Sequence, residues 1–537
     1  MKKALPYLAL TSACFLIYWP ALQNGFIWDD RRLIVGNDFV KGLDFPRLKW
    51  MVTALWLPGY QPLGWLATAA LIALGGLDAR IFHAATITLH GVCALLLFTV
   101  GQRLLKLCGR QRPLVPAFLA ALLWAAHPLQ VGEVAWARLP DQLAAVFYLA
   151  AVFTYIGENR QRALWTSFVF FALSLLSRWK GLSLPLVLVV LDIYPLRRLH
   201  PTPGDPLALR QKKVWKEKAG FAALALAMAG LNAVAQAHSG VGIAWQATAV
   251  GRGIVVLLWK IIWPAKMLPV YSLSDGADTL ALSGVLCVAL VCLLTAGLVL
   301  ARRRWPEALA AWVCFLGALL PPLLNSVKGE HLLFPHYAYL ATMGVSLAGC
   351  AAFDRLVWSA ARRTAFAVAL ALAAAWGVVS YRLCPFWGDE LRMWTRTLTI
   401  DRRCDLATAN IGLALARAGR FNDAYFWLHA ASRIHWFSTA AAYHLEVLKM
   451  NAPHLQADLP SYWLNAASDQ LGIGLAGNAE ILCAKALQQR PQWPLAHERM
   501  AQALSAQARS NEASLHLAAA EYWRIRQKPG KLRHLEA

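Results

Sequence analysis

Apolar stretches separated by short polar gaps dominate this chain as far as about residue 383. A helix needs about 20 mostly apolar residues to cross a bilayer, and stretches near that length recur here. From Pro385 onward Asp, Asn, Gln, Arg and Glu become common. The pattern predicts an all-α protein, with a polytopic membrane helical bundle in residues 1–384 and a helical extramembrane domain in residues 385–537.

The positions of the basic residues predict how the spans are oriented. Lys and Arg concentrate in gaps such as 101–113, 197–218 and 302–304, which alternate with neutral or acid-containing gaps. Cytoplasmic loops of membrane proteins carry this excess of positive charge, so we expect a cytoplasmic N-terminus and about eleven spans. An odd number of spans places the C-terminal domain outside. The short loops favour a bacterial inner membrane, with that domain in the periplasm.

The composition agrees with that of a membrane protein and limits the kinds of partner and metal site that we expect. The 537 residues are 58% hydrophobic and only 15% charged, yet the formal net charge is +23. Because the cations lie in gaps between apolar stretches, they indicate topology rather than a nucleic-acid partner. The ten cysteines form no CxxC pair, so no metal framework is visible. A disulfide between Cys384 and Cys404 and unpaired thiols are both open.

The C-terminal domain carries signs of an internal repeat. Ala479 and Ala513 occupy equivalent places in two similar strings and are 34 residues apart, the tetratricopeptide period. Residues 410–424 form another helix–turn–helix pattern of the same style, and a middle unit at about 436–470 is degenerate. We therefore predict a short tetratricopeptide-like array, whose concave surface suits an extended ligand.

Two adjacent carboxylates, Asp29 and Asp30, follow the first apolar stretch on the predicted outer side. Acids at a membrane boundary are costly to bury without a partner or water. A carboxylate here could take a proton from an attacking hydroxyl group. A solvated loop in which Arg31 and Arg32 neutralise the pair is an equally open interpretation.

Other polar and aromatic residues recur at the predicted outer ends of later spans. Arg can hold a phosphate through its fork of donors, and cations on the outer side run against the usual charge rule. An anionic headgroup at the membrane surface would explain them. An aromatic belt at the interface and a misplaced hairpin are the alternatives. The candidate residues are Tyr60, His127, Arg138, Arg178, Lys180, His336 and Tyr337.

The order of these motifs resembles that of the GT-C superfamily of membrane glycosyltransferases. The similarity is greatest to the tetratricopeptide-bearing O-mannosyltransferase-like branch and its bacterial relatives. It is carried by Phe26-Ile27-Trp28-Asp29-Asp30, Tyr60-Gln61-Pro62-Leu63, Phe82-His83 to His90, His127-Pro128 to Ala135-Trp136, Ser177 to Pro185, Trp263-Pro264 and Tyr337-Ala338-Tyr339-Leu340.

The resemblance implies transfer of a sugar from a polyprenyl- or dolichyl-phosphate carrier to an acceptor on the non-cytoplasmic face. It would make Asp29 or Asp30 the catalytic base, with Asp29 favoured. It would also place Arg138, Arg178 and Lys180 near the carrier phosphate. The chain departs from the family pattern in several places. Gln61 and His336 stand where relatives often carry Arg, Gly132 displaces the usual Glu after His-Pro, and the gap from Trp136 to Asp141 is one residue short.

Our main hypothesis is an inverting glycosyltransferase that uses a lipid-phosphate sugar and modifies a hydroxyl of a protein or glycan gathered by the repeat domain. Tyr60, His127, His336 and Tyr337 would help to bind substrate. A non-catalytic membrane scaffold whose repeats recruit envelope partners is the main alternative, and a transporter or lipid flippase is a weaker one. No cofactor follows from these residues, and a divalent metal is left open.

Overall fold

The structure, a computed structural model, describes residues 4–526 except 57–58, 200–206, 236–242, 274–281, 327–331, 358–361, 403, 433–458 and 473. It divides into two compact units, Met1–Asp389 and Glu390–Ala537. Helices make up nearly all of the regular structure, so the predicted all-α class is confirmed.

Fifteen helices are described in the first unit. They are α1 (Leu5–Tyr18), α2 (Phe45–Thr53), α3 (Pro62–Gly75), α4 (Ala79–Leu107), α5 (Leu114–Ala126), α6 (Val131–Val134), α7 (Leu139–Tyr155), α8 (Arg160–Ser177), α9 (Leu184–Ile193), α10 (Leu207–Ala235), α11 (Ile243–Ile262), α12 (Leu282–Leu300), α13 (Pro306–Ser326), α14 (Ala338–Val357) and α15 (Arg362–Leu383).

One short antiparallel ladder joins two distant loops of this unit. Strand β1 (Tyr271–Ser272) pairs with β2 (Leu332–Leu333), with Tyr271 opposite Leu333. Because β2 lies only a few residues before His336, the ladder fixes the backbone from which that side chain extends.

Five helices among the described residues are long and apolar enough to cross a membrane. A sixth is added if the pair Leu114–Ala126 and Pro128–Val134, bent by 52°, counts as one span. The five are Leu5–Gln23, Ala79–Leu107, Leu282–Arg303, Pro306–Leu324 and Arg363–Trp387.

The predicted count of eleven spans is not confirmed. At about 1.5 Å per residue, the ten residues of α9 cover only half of a hydrocarbon core about 30 Å thick. Helices α3 and α7 are apolar but also short. Helix α10 is long, yet it carries Lys212, Lys213, Lys216 and Lys218. The sequence pattern located these helices, but their lengths and charges do not define spans.

A largely buried ionic cluster, the Tyr155 cluster, lies where α7, α8, α9 and α10 approach one another. Asp192 accepts from the Tyr155 hydroxyl at 2.6 Å and pairs with Arg198 at 2.9 Å and Lys218 at 2.5 Å. Glu217 in turn pairs with Arg198 at 2.7 Å. A further cation, Arg160, also pairs with Glu217, at 2.5 Å. The cluster therefore ties the ends of α7, α8 and α9 to the middle of α10.

The second unit consists of helices described as α16 (Glu390–Ile400), α17 (Asp405–Arg417), α18 (Phe421–Ser432), α19 (Leu459–Gly472), α20 (Ala476–Gln489), α21 (Pro494–Ser505) and α22 (Ser510–Arg526). Among the described residues, three pairs of helices pack as hairpins: α17 with α18, α19 with α20, and α21 with α22.

The three hairpins turn in the same way. A residue with positive φ follows the first helix of each hairpin, namely Gly419, Gly474 or Ala508. The next residue donates its amide to the carbonyl five positions back, at 2.9, 2.8 and 3.0 Å respectively, which is the Schellman pattern of helix ends. An alanine five residues after each turn residue is buried in the second helix: Ala424, Ala479 and Ala513.

These turns give the 34-residue separation a structural basis, because Gly474 and Ala508 are also 34 residues apart. The tetratricopeptide assignment itself stays a prediction, and most of the predicted middle unit lies outside the described residues. Cys384 lies in the first unit and Cys404 in the second, and the disulfide between them stays a prediction.

Candidate active site

The two adjacent aspartates lie in different environments. Asp29 is exposed, whereas Asp30 is only 4% exposed. The residue before them, Trp28, has φ of +50°, a conformation that is uncommon for a non-glycine residue. Its ring stacks on Trp136 at a centroid distance of 4.9 Å. This turn in the backbone directs one carboxylate to the surface and the other inward.

Hydrogen bonds hold the segment in place. The Asn24 amide donates to the Ala135 carbonyl at 3.0 Å and to the Cys384 carbonyl at 3.1 Å. Asp30 accepts the amide N–H of Ile27 at 3.2 Å. The aspartate pair is therefore anchored on both sides rather than lying in an open loop.

Burial raises the pKa of Asp30 from 3.8 to about 8, and the neighbouring charge of Asp29 adds to the rise. The Ile27 amide, Arg138 and the Trp136 indole oppose it, but they do not outweigh desolvation. Asp30 consequently holds a proton at neutral pH, so the pair does not place two full negative charges side by side.

Five charged residues form a buried group beside the pair, here called the site cluster: Glu133, Arg138, Asp141, Arg178 and Lys180. Lys180 Nζ lies 2.5 Å from Glu133 Oε1 and 2.9 Å from Asp141 Oδ1. Arg138 Nε lies 2.8 Å from Asp141 Oδ2, and Arg178 Nε is 3.4 Å from Asp141 Oδ1. Three cations against two carboxylates leave the site cluster with one net positive charge.

Local structure explains how these residues converge. Arg138 immediately precedes α7, and Asp141 lies in the first turn of that helix, three residues on. Arg178 ends α8 in an extended conformation, and Lys180 follows in a short 3-10 turn. The expected contact of Arg178 and Lys180 with an anionic headgroup stays a prediction. Both are only 6% exposed and point into the protein.

His336 joins the site cluster as a neutral group. Its Nε2 lies 3.1 Å from Arg138 Nη1, and because arginine only donates, the imidazole must accept. Burial, reinforced by Arg138 and Lys180, holds the pKa of His336 well below its usual value. The sequence suggested additional cationic capacity here, but the ring carries no charge at neutral pH. Beside it, the Tyr337 ring lies 5.6 Å from Lys180 Nζ.

A cleft of about 450 Å³ connects the aspartate pair with the site cluster. Its walls come from the loop after α1, from α3 and from the start of α7. Among the described residues it is lined by Asp29, Asp30, Leu33, Ile34, Gln61, Trp65, Thr68, Trp136, Ala137, Arg138, Pro140, Asp141 and Arg178.

Tyr60, one of the residues predicted to bind substrate, is the neighbour in the chain of a residue that lines the cleft. The Tyr60 backbone N–H donates to Asn232 at 3.2 Å, and it is the next residue, Gln61, that lines the cleft. Gln61 accepts a hydrogen bond from Arg178.

His127 lines a separate, mainly apolar groove of about 540 Å³. Both of its ring nitrogens are engaged, one by the Leu129 amide at 3.1 Å and the other by the Ile261 carbonyl at 3.0 Å. The structure therefore does not bring His127 into the cleft.

Sequence reasoning did not commit to the two carboxylates of the site cluster. Glu133 lies between apolar helices and is 1% exposed, with Oε2 lacking a hydrogen-bond partner among the described residues. An acid within apolar surroundings is itself a signal of function, and that signal was available.

No group of three or more His, Cys, Asp or Glu side chains arranged to hold a metal ion occurs in the described part of the chain. The carboxylates of Glu133 and Asp141 are already paired with cations.

Comparison with known proteins supplies a family context. An alignment of 159 residues, which covers 27% of the chain, shows 31% identity to a mouse protein. An alignment of the same length and coverage shows 32% identity to its human counterpart. A Drosophila melanogaster protein aligns over 81% of the chain at 22% identity. All three relatives are named protein O-mannosyl-transferases. The mouse and human proteins carry the name TMTC1, and the fly protein is Tmtc3.

The similarity is distant. The alignments cover 16% of the mouse protein, 17% of the human protein and 55% of the fly protein, so the chain spans at most about half of these relatives. No family model matches the chain, and no solved structure matches it. The chain is thus a distant homologue of proteins named O-mannosyl-transferases. Because these relatives come from animals, the bacterial branch stays a prediction.

Proposed function

We propose that this protein is a membrane glycosyltransferase that moves a sugar from a polyprenyl-phosphate carrier to a hydroxyl of a protein acceptor on the extracytoplasmic face. The names of its relatives favour mannose as the sugar. One observation carries the proposal: an exposed carboxylate, Asp29, and buried cations, Arg138 and Arg178, line the same cleft.

The proposed reaction uses both sides of that cleft. Asp29 takes the proton of the acceptor hydroxyl as its oxygen attacks the anomeric carbon. The bond to the carrier phosphate breaks, and the phosphate leaves with the bonding electrons. Arg138, Arg178 and Lys180 stabilise the charge that develops on it. Attack from the side opposite the leaving group inverts the anomeric configuration.

Exposure supports the choice between the two aspartates. A base must reach the acceptor, and Asp29 is the exposed member of the pair. Asp30 is buried, holds a proton at neutral pH and accepts the Ile27 amide. We assign Asp30 to positioning the segment and Asp29 to the chemistry. The hairpins of the second unit would hold the acceptor polypeptide.

The test replaces each aspartate singly with asparagine. Asp29→Asn should lower kcat by about 1000-fold, within the range that general base catalysis contributes. Asp30→Asn keeps an oxygen that accepts the Ile27 amide, so the rate should fall by less than about tenfold. Sugar transferred to membrane and envelope proteins would be measured by mass spectrometry in cells that depend on the variant, at matched protein levels.

Full modification by the Asp29→Asn variant would overturn the assignment of Asp29. Full modification by a variant that carries both replacements would overturn the glycosyltransferase proposal itself.

A further inference from the structure

One face of α3 presents three polar side chains to the cleft. Gln61 immediately precedes α3, and Trp65 and Thr68 are spaced i and i+3 within it, which places the two helical side chains on one side of α3. Each is only 2% exposed, and each lines the cleft. Polar groups on such a buried stripe need partners.

Two of the three have partners within the protein. The Thr68 hydroxyl donates to the Gly64 carbonyl at 2.9 Å, which leaves its oxygen able to accept. Gln61 accepts from Arg178. The Trp65 indole N–H is buried and has no hydrogen-bond partner among the described residues. Leaving such a donor unpaired is unfavourable, so the Trp65 indole can bind an acceptor that enters the cleft.

The Trp65 ring is held in place by its packing neighbours. It packs with Val40, Met51 and Ala69, and its centroid lies 5.5 Å from that of Trp50. These apolar neighbours offer no side-chain acceptor for the indole N–H.

Close packing brings α3 up to the site cluster. A Cβ on Gly64 would lie 2.8 Å from the Ser177 carbonyl and 2.9 Å from the Pro140 side chain. Only glycine fits there, and Ser177 and Pro140 are the neighbours of Arg178 and of Asp141 in the chain. The stripe on α3 therefore faces the cleft next to the cations proposed to bind phosphate.

A donor and an acceptor on one face match a hydroxyl group, which can accept from Trp65 and donate to Thr68. A phosphate oxygen could accept from Trp65 but has no proton for Thr68. The cations would already hold the phosphate, so the neighbouring group of a sugar phosphate is the sugar ring.

We propose that the Gln61–Trp65–Thr68 face of α3 binds the transferred sugar, with the Trp65 indole N–H donating to one ring hydroxyl. The assignment presupposes the glycosyl transfer proposed above, and it makes Trp65 a determinant of donor specificity.

The experiment pairs a change in the protein with a change in the substrate. Purified full-length protein would be assayed with polyprenyl-phosphate mannose and its 2-, 3-, 4- and 6-deoxy forms. Trp65→Phe removes the N–H but keeps an aromatic ring, and it breaks no hydrogen bond within the protein. Its kcat/KM for the mannose donor should fall about fivefold, as expected for one uncharged hydrogen bond.

The decisive result is a loss of additivity. For one deoxy donor the loss relative to mannose should be about fivefold smaller in Trp65→Phe than in the wild type, because both changes remove the hydrogen bond to the indole. Trp50→Phe is the matched control. Trp50 contacts Trp65 but does not line the cleft, so its deoxy-donor profile should equal that of the wild type.

The alternative results separate the two proposals. If the wild type transfers sugar and Trp65→Phe loses the same factor with all five donors, the sugar-binding assignment is overturned and the proposed function stands. If the wild type transfers sugar from none of these donors, neither this assignment nor mannosyl transfer survives.

Discussion

The first unit holds two buried ionic clusters of similar composition and different completeness. The site cluster contains three cations and two carboxylates, and so does the Tyr155 cluster. In the Tyr155 cluster both oxygens of Asp192 and both oxygens of Glu217 are bonded. In the site cluster Glu133 Oε2 has no hydrogen-bond partner within the described residues, and Arg178 Nε lies 3.4 Å from its nearest carboxylate.

The difference separates a structural group from a candidate functional one. The number of charges does not distinguish the two clusters, because both carry one net positive charge. A complete cluster holds helices together, whereas an incomplete one that borders a cleft can bind an anion. The predictions below test this distinction.

The largest effect is expected from disabling the complete cluster. Asp192→Asn removes the carboxylate charge opposite Arg198 and Lys218 and should lower the free energy of unfolding by about 3 kcal/mol. Transfer per folded molecule should stay within about twofold of wild type. Thermal unfolding in detergent and the transfer assay measure the two quantities.

The matched control is Asp38→Asn, an exposed carboxylate paired with Lys41. It should change the free energy of unfolding by less than about 0.5 kcal/mol. An Asp192→Asn protein of normal stability that transfers no sugar would contradict the structural role of the Tyr155 cluster.

A smaller effect is expected from one cation of the incomplete cluster. Arg178→Gln removes a charged donor near the proposed phosphate and should raise KM for the lipid-phosphate donor about 30-fold, the worth of a charge-assisted hydrogen bond. The free energy of unfolding should fall less than in Asp192→Asn, because Asp141 still pairs with Arg138 and Lys180.

Arg198→Gln makes the same substitution in the Tyr155 cluster and should leave the donor KM unchanged. Equal KM values for the two glutamine variants would remove the functional distinction between the clusters.

The smallest expected effect on donor KM concerns pH and Asp30, whose pKa is raised from 3.8 to about 8 by burial. Between these values the folded protein keeps a proton that the unfolded chain has lost, so stability should fall as pH rises across this window. Above about pH 8 the ionised Asp30 adds negative charge beside the proposed phosphate, and donor KM should rise a few-fold. Asp30→Asn should flatten both profiles. A wild-type KM that is constant from pH 7 to 9 would contradict the link.

Some of this arrangement could be predicted from the sequence. Apolar stretches located most helices of the first unit, and adjacent acids among outer polar residues identified Asp29 and Asp30. The opposite exposure of the two could not be predicted, because it depends on the positive φ of Trp28 and on contacts with residues more than 100 positions away.

The environment of the cations Arg178 and Lys180 could not be predicted from the sequence either. Charge statistics identified Arg178 and Lys180 as unusual, but treated them as surface groups. Their carboxylate partners come from another helix and another loop, so pairing emerges only in three dimensions. His127 was predicted to bind substrate because of its motif, although its ring forms a hydrogen bond with the backbone of a distant helix.

The identical turns of the second unit have a consequence for how such a chain can evolve. Each hairpin closes through the same amide-to-carbonyl bond and buries an alanine at the same offset, so one hairpin can be duplicated or deleted as a block. The length of the helical surface can then change by whole hairpins, while the residues that line the cleft of the first unit stay the same.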